Sequence, residues 1–254
     1  MEREPLDASQ LMALTVWGVC LLGWLAVAVR VGLVALRTRR APETAMAVYF
    51  ALLSLASILG VIPALIRQRG GDLEAAAATS AAAMICFAFG AFALGVGTWR
   101  TFRPSEPWAG AVCVVLLVEL LAAWWFTVRG GAIVSLNSTT PANLVFASGR
   151  LAIYLWAAGE SFSHAAKLRK QVALGLASPL VARQVLLWGT AAALMAGSST
   201  TILARSWLFG VGDETRLSFG VLLILAITVG AAVSTWWAFF PPRFLRGGGA
   251  AQRV

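Results

Sequence analysis

Of the 254 residues, 59% are hydrophobic and only 12% are charged, about half the charged fraction of an ordinary soluble domain. That composition places the chain among membrane proteins and leaves no room for a soluble catalytic or DNA-binding domain. A net charge of +9 and a pI near 10.9 would otherwise suggest nucleic acid, but the charges fall between apolar runs, where they act as topology signals.

Crossing a hydrocarbon core of about 30 Å takes about 20 apolar residues. Seven runs are long enough: 11 to 36, 44 to 66, 76 to 98, 108 to 128, 143 to 166, 184 to 204 and 217 to 240. The first follows Met1-Glu2-Arg3-Glu4, which lacks a basic n-region, and its apolar run exceeds that of a cleavable signal peptide, so it is expected to stay as a span carrying Arg30. Pro42 opens the second, and Pro63 near its far end is a place to bend. The third is small-sided, with Ala75 to Ala78, Ala81 to Ala83, Gly90, Gly95 and Gly97. Pro107 opens the fourth, which carries Glu119. A long connection over 129 to 142 contains Asn137-Ser138-Thr139, a glycosylation sequon by pattern. Thr140-Pro141 then opens the fifth span, with Thr140 as N-cap, and this span carries Arg150, Glu160 and His164. The connection 167 to 183 places Leu168, Val172, Leu176 and Leu180 four apart, which predicts an amphipathic turn lying partly in the interface. Ser178-Pro179 opens the sixth span, where Gly189, Ala193, Gly197 and Thr201 recur every four residues. Pro241-Pro242 stops the seventh.

Alternating the connections puts Arg37, Arg39, Arg40, Arg100, Arg103, Lys167, Arg169, Lys170, Arg183, Arg243, Arg246 and Arg253 on one side. The other side mixes Arg3, Arg67, Arg69, Arg129, Arg205 and Arg216 with seven acids. Because cytoplasmic loops collect Lys and Arg, the expected fold is all-α: an integral membrane seven-helix bundle forming one domain over 1–254, amino terminus outside and carboxyl terminus inside. The Ala, Arg and Gly-rich composition points to a bacterial inner membrane. The small-residue faces of helices 3 and 6 read as packing seams within the bundle, or as contacts between copies. Paired tryptophans near span ends, such as Trp124-Trp125 and Trp236-Trp237, fit an aromatic belt; an aromatic ligand cage is the other reading for Trp124 or Trp156.

Ionisable groups inside spans are costly and mark candidate sites. At 1.5 Å per residue, Glu119 lies about 13 Å and Arg150 about 10 Å below the outer ends of their helices, so the two can meet. Arg30 and Glu160 each lie about 9 Å above the inner ends, with His164 one turn from Glu160 on the same face. Two charge layers follow, and three readings of them stand open. They are structural glue; or Glu119 and Arg150 line an outward polar cavity with Ser198, Ser199, Thr200 and Thr201; or both layers belong to an ion or proton path.

Chemistry has little to work with. His164 is the only histidine, which excludes a multi-histidine metal or haem site. Ser161 and Ser163 lie too close in sequence to present a hydroxyl to His164 readily. Helix 7 has no lysine for a retinal Schiff base. Cys20, Cys86 and Cys113 occupy three different spans at unequal depths and read as small packing residues, not as a disulfide or metal set. A transporter would favour internal repeats, and none relates the two halves.

Three strings, Phe102-Arg103-Pro104, Gly175-Leu176-Ala177-Ser178-Pro179 with Arg183 and Leu187-Trp188-Gly189, and Phe239-Phe240-Pro241-Pro242-Arg243-Phe244-Leu245-Arg246, resemble those of uncharacterised bacterial seven-helix membrane proteins. Some of these resemble the membrane input regions of sensor kinases. The resemblance covers about a sixth of the chain and implies a receptor-like module that signals to a separate cytoplasmic or membrane protein partner. Arg100, Arg103, Lys167, Arg169, Lys170 and Arg243 would form the docking surface, or serve simply as topology determinants. The expected function is a non-enzymatic sensor-like or partner-binding module with no cofactor, no metal and no nucleic-acid partner. The alternative is a small-solute or ion transporter using the intramembrane Arg and Glu groups.

Overall fold

A computed structural model describes residues 8–68, 70–130, 140–209 and 214–241, with side chains over 15–63, 65–66, 70–130, 140–204 and 223–241. Seven helices follow in order: α1 (Ala8–Thr38), α2 (Ala41–Gln68), α3 (Leu73–Phe102), α4 (Pro107–Arg129), α5 (Pro141–Ala173), α6 (Pro179–Phe209) and α7 (Glu214–Phe239). The shortest, α4, has 23 residues, or about 34 Å at 1.5 Å per residue. Helices start where proline removes a donor that would have gone unused: α4, α5 and α6 each begin on one, and α2 carries Pro42 at its second position. Thr140 accepts a hydrogen bond from the Asn143 amide, and Asp72 caps α3 by accepting from the Glu74 amide at 2.8 Å. Pro63 does not interrupt α2, which runs on to Gln68.

Among the described residues, five helical stretches are long and apolar enough to cross a membrane: Thr15–Thr38, Ala41–Pro63, Leu73–Phe102, Pro107–Arg129 and Pro179–Ala204. In α7 the described apolar run, Leu223–Phe239, is shorter. Helix α5 does not meet that condition, because Arg150, Glu160, His164 and several hydroxyl side chains interrupt its apolar residues. The chain is thus a multi-pass helical membrane bundle, with five of its seven expected spans carrying the full apolar signature. Its outer surface agrees. On α1, Leu22, Leu25, Val29, Leu33 and Leu36 are exposed, while Cys20, Trp24, Val27, Val31 and Ala35 face inward. A helix apolar on both faces suits lipid on one side and a core on the other.

Contacts fix the topology. Gly97 meets Met46 and Gly90 meets Leu52, Gly110 meets Trp99 and Gly95 meets Cys113, Thr127 meets Asn143 and Leu120 meets Gly149, and Gln184 meets Ala238 and Leu194 meets Gly230; along each of these pairs one number rises as its partner falls, so α2 to α5 and α6 to α7 run antiparallel, and short connections turn α1 back along α2 and α5 back along α6. Each helix packs on its chain neighbours, α1 closes against α7, and α3 reaches across to α5. That cross-contact pushes α4 to the periphery, where Val114, Val115, Val118 and Phe126 are exposed.

The centre is filled by aromatic side chains. Phe50 of α2 is 1% exposed and sits edge-on to Trp188 of α6 and Phe239 of α7, at centroid separations of 5.8 and 5.7 Å. Tyr49 and Trp24 complete the layer. The cavity left between Trp24, Tyr49, Tyr154, Trp188, Met195 and Thr235 is about 10 Å³, room for one water at most.

The 167 to 183 connection is not a surface turn. Helix α5 continues to Ala173 and α6 begins at Pro179, so the four-residue leucine spacing belongs mostly to the helices themselves. At the junction Gly175 has φ +72°, the Gly175 amide donates to Val172 O at 3.0 Å and the Leu176 amide to Gln171 O at 2.8 Å. This is a Schellman cap, in which glycine supplies the left-handed residue. The sequon at Asn137 lies outside the described residues.

Candidate functional site

The antiparallel order sends the ends of α1, α3, α5 and α7 and the starts of α2, α4 and α6 to one end of the bundle. This basic end carries Arg37, Arg39, Arg40, Arg100, Arg103, Lys167, Arg169, Lys170 and Arg183. Arg243 lies outside the described residues.

Glu160 finds its partner here. The Nε of Arg103, the residue capping α3, donates to Glu160 Oε1 at 3.0 Å and Oε2 at 3.1 Å. The pairing of Glu160 with Arg30 expected from equal depth does not form: Arg30 is exposed and lays its guanidinium over the Phe240 ring, 4.5 Å from its centroid. A cation over an aromatic face needs no carboxylate. His164 is exposed, with its ring 5.3 Å from that of Phe102. Because Arg103 closes α3, the pair brings the end of α3 to Glu160, and α5 runs on for 13 further residues, about 20 Å of helix. What depth counting took for an inner charge layer is therefore a cluster at the bundle end.

The Glu119 and Arg150 layer is also rearranged. Arg150 turns toward α3, its guanidinium 4.5 Å from the centroid of Phe87, and its Nε is buried without a hydrogen-bond partner among the described residues. The Glu119 carboxylate instead lies over Gly149, its Oε1 3.4 Å from where a Cβ would stand. Among the described residues the ion pair found is that of Arg103 and Glu160, not one between Glu119 and Arg150. Helix α4 packs on α3 and α5, and α6 on α5 and α7, so α5 stands between Glu119 and the α6 hydroxyls. Ser199, Thr200 and Thr201 bond back to the carbonyls of Met195, Ala196 and Gly197 at 3.1, 3.0 and 2.9 Å, which satisfies each hydroxyl within its own helix. Ser198 is buried and Thr200 exposed, so the run winds around α6 instead of facing one cavity. The outward polar cavity expected from sequence is not assembled by these residues.

Two groups that sequence reasoning passed over join the core. Tyr49 of α2 and Tyr154 of α5 are the only tyrosines, and both are buried in the central cluster. Their rarity and position within spans was the available signal. Glu43 in the first turn of α2 has a buried Oε2 with no partner among the described residues. Trp124 Nε1 donates to Ala81 O at 3.1 Å, tying α4 to α3, and Trp156 packs against Trp108 with centroids 6.2 Å apart, its Nε1 buried with no partner among the described residues.

No family model, curated protein or solved structure matches this chain.

Beyond the ion pair, the basic end has two distinctive surfaces. Arg100 lies over Trp99 at 4.2 Å, while Lys167, Arg169 and Lys170 are exposed on the last turns of α5. At the α5 to α6 junction Leu174 and Leu176 are 73% and 76% exposed.

Proposed function

We propose that this chain is a non-enzymatic, sensor-like seven-helix module of a bacterial inner membrane, with its basic end in the cytoplasm, that docks a protein partner there. The observation that carries the reading is the filled aromatic layer at the centre of the described bundle. Among the described residues the Tyr49, Trp188 and Phe50 layer leaves about 10 Å³, so a solute has no room at that layer, and we take the ends of the bundle as the surfaces for recognition. At the basic end, Lys167, Arg169 and Lys170 on the last turns of α5 precede Leu174 and Leu176, which are exposed among the described residues, a pairing suited to a partner with acidic and apolar groups. The positive-inside bias supports the orientation.

A photo-crosslinking residue at Leu176 in the full chain, expressed in native membranes, tests this. The reading expects a discrete crosslinked protein, lost when Arg100, Lys167 and Lys170 are together changed to Glu. Persistence of the band in that triple variant, or its absence from the parent, overturns the docking role.

A second reading, transport of an ion or small solute, draws on Arg150, whose Nε is buried and unpartnered among the described residues. It requires the central aromatic layer to open, and it expects flux in proteoliposomes that Arg150→Met abolishes.

A further inference from the structure

We infer that the groove between the end of α5 and the start of α6 is a binding site for the headgroup of an anionic phospholipid. The groove encloses about 260 Å³ and is lined by Arg169 and Val172 of α5 and by Pro179, Ala182, Arg183 and Leu186 of α6. Two features favour lipid phosphate over other anions. The first is the order of its lining along α6. Pro179 opens α6 and the stretch able to cross a membrane, and Arg183 and Leu186 follow within it, Leu186 about one turn deeper than Arg183. A molecule seated on both arginines thus continues naturally along an apolar wall into the hydrocarbon, which suits a headgroup with attached acyl chains and not a free ion. The second is electrostatic. Arg169 and Arg183 line the groove, and the opening turn of α6 directs the positive end of its helix dipole toward the same place, so three sources of positive potential converge. Guanidinium groups match phosphate oxygens through paired donors, and basic pockets between membrane helices are a known solution for anionic headgroups.

The site rests on the proposed reading only in that the basic end lies at a membrane surface, and its arginines, Arg169 and Arg183, are not among the residues changed in the crosslinking test. It is tested with the full chain in detergent, titrated with phosphatidylglycerol against phosphatidylcholine and read by native mass spectrometry. One variant is Arg169→Gln with Arg183→Gln; the control, Arg37→Gln with Arg40→Gln, removes two cations from the same end. Each guanidinium near an anionic lipid contributes roughly fivefold, so the groove variant should lose about 25-fold of its preference for phosphatidylglycerol while the control keeps it. Equal losses in both variants would reduce the effect to general basic charge and overturn the site. So would retention of the preference by the groove variant. Inorganic phosphate or a soluble acidic peptide displacing the lipid at equal concentration would show that the groove takes a free anion or a protein segment, and would likewise overturn the lipid assignment. Near-parental thermal unfolding of both variants guards against a folding defect.

Discussion

Gly189 is where the packing of the bundle can be tested most sharply. A Cβ there would stand 3.0 Å from Phe162 Cδ1, 3.0 Å from Ser161 Cβ and 3.1 Å from Phe162 Cε1. The exposed Phe162 ring can swing aside, but Ser161 is fully buried and its hydroxyl is held on Ala157 O at 2.6 Å, so α5 and α6 must part. Overpacking of this kind costs about 1–3 kcal/mol, offset by up to ~1 kcal/mol of helix propensity gained from Gly to Ala. With the full propensity gain, the net loss for Gly189→Ala is up to about 2 kcal/mol. Gly197, two turns further along α6, has nothing within 4 Å of the same added atom, so Gly197→Ala keeps only the propensity gain. For a chain of this length, 1 kcal/mol corresponds to about 2–4 °C in Tm. Thermal unfolding in one detergent should place Gly189→Ala below the parent and Gly197→Ala at or above it. Equal Tm values for the two variants would refute the close approach of α5 and α6.

Other outcomes follow from the rearranged charges and caps. A double-mutant cycle on Arg103→Gln and Glu160→Gln should give a coupling near 1 kcal/mol, modest because Arg103 is 43% exposed and the pair is screened; zero coupling would deny the pair. The corresponding cycle on Glu119→Leu and Arg150→Met should give less than about 1 kcal/mol, against the 3–5 kcal/mol typical of a broken buried pair, because the two side chains point to different helices. Asp72→Ala should lower stability by about 1 kcal/mol through loss of the α3 cap, while Asp72→Asn should restore most of it, both read as Tm. Trp124→Phe should cost about 1 kcal/mol by removing the bond to Ala81, with no loss for Trp125→Phe.

Helix number, order and starts were legible because length and proline placement are local properties: Pro107, Pro141 and Pro179 each stand at a helix start. The α5 to α6 junction was misread although its signals were present. The leucine spacing of four was helical, and Gly175 followed by Ser178-Pro179 marks a stop and a start; the length of the charged stretch suggested a loop instead. The partners of the charges were not legible. Residue counts give depth along an axis but not azimuth, and they do not show that α3 crosses to α5 and displaces α4. Glu119 and the α6 hydroxyls therefore fell on opposite sides of α5, and Glu160 met Arg103, which the sequence assigns to a connection. Depth counting also assumed that helices end at the bilayer edge, whereas α5 continues 13 residues beyond Glu160.

A closed interior with its working surfaces at the ends is the claim on which the functional reading depends. Cysteine accessibility in intact membranes tests it directly, with Cys20, Cys86 and Cys113 replaced by alanine and single cysteines placed at Ala192, which lines the central cavity, and at the exposed Leu176. A membrane-impermeant thiol reagent applied to each side in turn should label Ala192→Cys from neither side and Leu176→Cys rapidly from the side of the basic end. Rapid labelling of Ala192→Cys would reveal a water-filled route through the bundle and contradict the account.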